Sequence, residues 1–161
     1  MPRLVKDRAL AADAWVRADG EAAGARKLIL PLADYLKAIA AGEAAQDRAV
    51  LLQPENQDLA PLLPHLASLP LIAIHFGSSG EGRGYTQARL LRERHGYKGE
   101  LRAVGKIRAD QVWFLARCGF DAFELADEED PQLVIAQLDR FSVAYQSGPD
   151  GLAHPRRRYG A

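Results

Sequence analysis

The hydrophobic positions of this chain fall into short unbroken runs, separated by segments in which apolar residues recur every three or four places. An unbroken apolar run suits a strand buried on both faces, and the three-four spacing is one face of a helix. The clearest runs are 49–53 (Ala-Val-Leu-Leu-Gln) and 71–76 (Leu-Ile-Ala-Ile-His-Phe), followed by 100–104 and 122–125. A shorter run at 27–31 suggests a further strand near Leu28. Between them, Leu32, Tyr35, Leu36 and Ile39 predict a helix over 32–41 that stops at Gly42. Asp58 caps a predicted helix over 59–69, with Pro61 in its first turn and Pro64 bending its start. A helix over 85–95 gathers Ala88, Leu91 and His95 on one side, and another ends at Arg117-Cys118. The last helix opens with Asp130 as cap and Pro131 at its first position, and its predicted buried stripe is Val134, Leu138, Phe141 and Tyr145.

Two helix ends share one punctuation: His95-Gly96-Tyr97 and Cys118-Gly119-Phe120. Glycine takes the left-handed position after the last turn without a Cβ clash, and the aromatic that follows packs back on the helix. The first 27 residues read as irregular or as a hairpin, with strands at 3–5 and 14–16 around Asp7-Arg8 and Trp15 as anchor. The segment 148–161 reads as a flexible tail behind a single α/β domain at 1–147.

Strands alternating with helices imply a parallel sheet with right-handed crossovers. The expectation is four to five parallel strands, as an open three-layer sheet or a half-barrel-like curve. A closed eight-unit barrel takes about 250 residues, and this chain has 161. An exposed sheet edge favours a homodimer.

Composition narrows the chemistry. Lys plus Arg and Asp plus Glu number 21 each, so no global field favours nucleic acid or an anionic membrane. Cys118 is the single cysteine, which excludes an intramolecular disulfide and argues against a cysteine-based metal site. His65, His75, His95 and His154 lack metal-ligand spacing, and neither a metal nor a cofactor is expected. The N-terminus lacks the apolar core of a signal peptide, and no apolar run approaches the roughly 20 residues that span a bilayer. The cytoplasm is the expected compartment. Arg156, Arg157 and Arg158 form too small a basic cluster on a neutral chain to argue for nucleic-acid binding.

Parallel α/β folds bind ligands beyond the carboxyl ends of their strands. That rule selects Gln53, Glu55 and Asn56; His75 and the loop 77–84; Lys106; and Glu124 and Asp127. Gly80-x-Gly82-Arg83-Gly84 sits between a strand and a helix start, where free amides and the helix dipole suit an anion. Gly82, Arg83, Gly84, Tyr85, Arg102 and Lys106 are the expected oxyanion ligands. The plainer reading is a simple turn, with Arg83 paired to a surface carboxylate. The loop matches neither the dinucleotide fingerprint nor the phosphate loop of nucleotide hydrolases. Arg89, Arg92 and Arg94 carry positive charge along the next helix, as a partner-docking face or a solvated one. Arg102 lies in a buried strand and wants a partner, which Glu100 supplies from the same face. Candidate acids or bases are Glu81, His75 and Asp110, the last also placed to charge the first turn of its helix. Cys118 reads as a packed thiol.

Three stretches resemble a bacterial family known as domain of unknown function 934. They are Gly82-Arg83-Gly84-Tyr85-Thr86-Gln87-Ala88-Arg89-Leu90-Leu91-Arg92-Glu93-Arg94; Gly99-Glu100-Leu101-Arg102-Ala103-Val104-Gly105; and Asp110-Gln111 through Arg117-Cys118-Gly119-Phe120-Asp121. The run at Leu51 to Glu55 is similar as well. Members are commonly encoded beside assimilatory sulfite or nitrite reductase and adenylyl-sulfate reductase. The resemblance therefore implies a pathway, sulfate assimilation, with one of those reductases as partner. Two departures stand out: Glu81 where the family usually has Asp, and Gly105-Lys106-Ile107 where it usually has Gly-Asp-Val. Lys106 cannot replace a catalytic or metal-binding aspartate. The expected function is a non-catalytic accessory of sulfate and sulfite reduction that binds a small oxyanion or the reductase. The alternative is a small enzyme acting on a phosphorylated or sulfated metabolite.

Overall fold

The computed structural model describes residues 3–18, 25–54, 58–78 and 82–152. Its first feature is a tight hairpin. Asp7 and Arg8 both hold positive φ, 51° and 62°, the turn whose twist matches paired antiparallel strands. It joins β1 (Arg3–Lys6) to β2 (Ala9–Ala11), with Lys6 opposite Ala9. The expected hairpin is therefore real, but its second strand is not 14–16. Val16–Arg17 is β3 and pairs with β4 (Leu28–Pro31), at the far end of the sheet. The strand expected near Leu28 is thus present.

The remaining strands are β5 (Arg48–Leu52), β6 (Leu71–Phe76), β7 (Glu100–Gly105) and β8 (Ala122–Leu125). Among the described residues the sheet has eight strands in the order β2–β1–β8–β7–β6–β5–β4–β3. From β3 to β8 neighbours run parallel in chain order, and the hairpin adds β1 antiparallel to β8. The expectation of four to five parallel strands was too small, because the short pieces near the N-terminus carry no readable alternation.

The order has a geometric consequence. β2 and β3 are opposite edges, and only residues 12–15 join them. Seven strand spacings of a flat sheet would separate them by about 34 Å. The linking chain reaches about 18 Å at full extension. The sheet must curl, and it takes the half-barrel form rather than the three-layer one. Because every parallel step advances the same way, right-handed crossovers place the helices on one face.

That outer face holds the main core. α1 (Leu32–Ala40), α2 (Arg83–Arg89), α3 (Val112–Arg117) and α4 (Pro131–Leu138) contribute Tyr35, Ala88, Leu115 and Val134 against Val50, Ile72, Leu101 and Phe123 of the sheet. α2 continues into a π-helical turn, Leu90–Arg94. Both predicted glycine endings form, with φ of 65° at Gly96 and 109° at Gly119. At the second, Phe120 donates its amide to Leu115 and Gly119 to Ala116, the two bonds of a Schellman ending.

Two helices differ from expectation. The segment after Asp58 is a 3₁₀ helix, Ala60–His65, consistent with prolines at 61 and 64 removing α-helical donors. Asp130 caps α4 through the Gln132 amide at 2.9 Å, but the helix ends at Leu138. Phe141 and Tyr145 leave the expected stripe and are exposed, because the chain turns toward α3 and sets Phe141 against Trp113.

Candidate functional site

The inner face of the curled sheet has its own composition. Registers place Ile29, Ala49, Leu71, Ala73 and Val104 there as a small apolar cluster, with Trp15 packed on it. The same registers line up Lys6, Ala122, Arg102 and Ala73 across four strands. Around Arg102 the face turns ionic. Arg102 is 1% exposed and donates to Asp13 at 2.6 and 3.1 Å and to Glu100 at 2.8 Å. Lys6 reaches the other oxygen of Glu100 at 2.8 Å. Burial pushes the Arg102 guanidinium toward neutrality, but the two carboxylates outweigh it and hold the group above its ordinary value. The Glu100 partnership follows from the sequence; Asp13 does not, since it lies in the segment that crosses the curl.

At the carboxyl end of this face lies the mouth that the strand-end rule selects. His75, near the end of β6 and half-buried, lies opposite Val104 of β7. Gly105 ends β7 with φ of 97°, and a Cβ there would stand 2.5 Å from the Phe76 carbonyl and 3.0 Å from the His75 ring. Arg17 of β3 meets Glu124 of β8 at 2.9 Å, an ion pair that spans the curl. The Glu124 side chain is 9% exposed and that of Arg17 32%. Two cavities of about 290 and 450 Å³ open here and share Gly105 and Ala126 in their walls. Sequence reasoning missed Arg17 because two residues of strand in an alanine- and charge-rich neighbourhood leave no periodicity to read.

The expected oxyanion residues are not all brought together. Gly82 precedes α2, Arg83 is exposed on its first turn, and Lys106 is exposed after β7, its amide bonded to the Phe76 carbonyl at 2.9 Å. Gly84 lies against Phe76, where a Cβ would meet the ring at 2.7 Å. Tyr85 meets Phe76 edge-on at 5.3 Å and Phe114 at a tilt at 5.2 Å, and burial holds its phenol above the ordinary value. Arg102 faces carboxylates. Glu81, Glu55 and Asn56 lie outside the described residues, as do His154 and the three tail arginines. Asp110 is exposed beside Arg108 at 3.8 Å.

The arginine trio also divides. Arg92 is a staple: it donates to the carbonyls of Gly119, Tyr97 and Gly99 and to Asp121, at 2.8–2.9 Å, tying both glycine endings together. Arg89 is exposed and pairs with Glu93 one turn on. Arg94 is exposed. Arg89 also borders a groove of about 400 Å³ whose walls include Trp113, Phe114, Arg117, Phe141 and Tyr145. Phe114, Phe141 and Tyr145 are 55%, 47% and 81% exposed. Cys118 lies beneath, 4% exposed, its thiol pushed up by burial. Among the described residues no group of three His, Cys, Asp or Glu is placed to hold a metal, and no helix is long and apolar enough to cross a membrane.

These features define a singly wound, curled α/β protein with an ion-paired interior and an exposed aromatic groove. Over residues 39–154 the chain matches the family model described as bacterial protein of unknown function (DUF934), and it belongs to that family. A search of curated proteins found no match.

Proposed function

We propose that the protein is an accessory component of assimilatory sulfate and sulfite reduction that docks on its reductase. The observation that carries the docking is the groove between α3 and the segment after α4, where three large aromatic side chains stand exposed beside Arg89 and Arg117. Contiguous exposed aromatics with arginine at the border are the composition of protein–protein contact centres. The pathway rests on the family resemblance. Docking accounts better than oxyanion capture for the cations: Arg92 and Arg102 are occupied by protein acceptors away from solvent, whereas Arg89, in an exposed pair with Glu93, borders the groove.

The test is capture of the cell's own sulfite reductase or adenylyl-sulfate reductase by the tagged full chain from cells grown on sulfate. The paired change Phe114→Asp and Tyr145→Asp is expected to cut recovery at least about tenfold, the scale of losing contact-centre residues. Recovery of neither reductase, together with normal sulfite reduction in a deletion strain, overturns the proposal.

A further inference from the structure

We infer that the inner mouth of the curled sheet is a binding site for a small zwitterion of the α-amino-acid class, held by the Arg17–Glu124 ion pair. The site is separate from the docking groove and does not rest on it. Three observations converge.

First, the pair is built into the fold. Arg17 comes from one sheet edge and Glu124 from a strand five places away, and they meet at 2.9 Å only because the sheet curls. A carboxylate 9% exposed is costly to hold charged without a partner, so this position is set by the architecture and not by chance solvation.

Second, the pair opens into a cavity. Arg17 and Glu124 line the space of about 290 Å³ together with Gly105, Ala126 and Asp127, and Arg17 stays about one-third exposed. Arg102, doing a purely structural task in the same interior, is sealed at 1% exposure. The adjoining cavity of about 450 Å³, sharing Gly105 and Ala126, gives a ligand side chain somewhere to extend.

Third, the signs are mixed. Arg17, Glu124 and Asp127 line the smaller cavity, and Lys106, Arg108, Glu128 and Glu129 line the adjoining one. A simple oxyanion would approach four carboxylates, and a simple cation three bases. A molecule with an ammonium and a carboxylate on one carbon presents opposite charges at about the spacing of the ion pair. Laid head to tail against Arg17 and Glu124, it brings every charge against an opposite one.

The experiment is calorimetric titration of the full chain with glycine, L-alanine and L-serine, and with sulfate and methylammonium at matched ionic strength. Saturable binding of at least one amino acid is expected, with neither sulfate nor methylammonium, each charged with one sign only, binding saturably. Arg17→Ala should weaken amino-acid binding at least about tenfold, the effect of removing one partner from a desolvated charge pair. Glu124→Gln should do the same; should it fail to fold, Arg17→Gln at the more exposed partner carries the test, with circular dichroism confirming the fold. Saturable binding by none of the three amino acids overturns the inference. So does amino-acid binding that survives Arg17→Ala, and so does sulfate binding that is lost in that variant.

Discussion

Arg102 Nη1 on β7 stands 2.6 Å from Asp13 Oδ2, a carboxylate 89 positions earlier in the chain that crosses the curl between its two edges. The contact fastens the crossing segment to the centre of the inner face. Removing one partner of a buried ion pair leaves a charge without compensation, typically at a cost of about 3–5 kcal/mol. Arg102→Ala is expected to lose stability on that scale in urea unfolding, since it removes the ion pair of Asp13 and leaves Glu100 to Lys6. Asp13→Asn, at a side chain 25% exposed, should lose less. Equal, small effects would show that the crossing segment is not fastened there.

The arginines of the helix after β6 should separate by role. Arg92→Ala removes bonds to Tyr97, Gly99, Gly119 and Asp121 and is expected to cost about 2–4 kcal/mol, as loss of a hydrogen-bonded network does. Arg94→Ala should stay within about 0.5 kcal/mol, as surface changes do. Arg89→Ala should leave stability similarly intact while weakening reductase capture. Thermal melting and the capture assay read the two effects apart.

Gly105→Ala tests the mouth. At φ of 97° an L-residue is strained, and its Cβ would sit 2.5 Å from the Phe76 carbonyl. Backbone strain alone is worth about 1–3 kcal/mol. Destabilisation of at least that size is expected, with a shifted His75 ring resonance by NMR; a neutral substitution would contradict the geometry.

Tyr97 gives the alkaline limb of the stability curve. Its phenol is 3% exposed, shares its hydrogen between the carbonyls of Leu69 and Glu100, and is held far above its ordinary value by burial. A raised native pKa means that the folded state keeps the proton after the unfolded chain has lost it. The contribution is therefore complete below 10.0, the ordinary value, and declines as pH rises above it. One proton corresponds to about 1.4 kcal/mol per pH unit over that window. The unfolding free energy of wild type in urea should fall with that slope, and Tyr97→Phe should flatten it. Tyrosinate absorbance for this residue should appear only with unfolding.

Much of the fold is legible along the chain because it depends on local chemistry. The run 122–125 is β8 as read, Asp130 and Pro131 start α4, and Gly96 and Gly119 end their helices, each decided by side chains within a turn of the position concerned. Glu100 as partner of Arg102 belongs to the same class, since two residues on one strand share a face. Curvature and closure are different in kind. That Asp13 meets Arg102, that Arg17 meets Glu124, and that Phe141 and Tyr145 leave the helix stripe for an exposed groove all depend on where distant segments come to rest. A four-residue link between opposite sheet edges forces the curl, and no pattern in those four residues announces which edges they join. Local propensity therefore specified the elements, while the loop length, acting through sheet order, decided which charges share the interior.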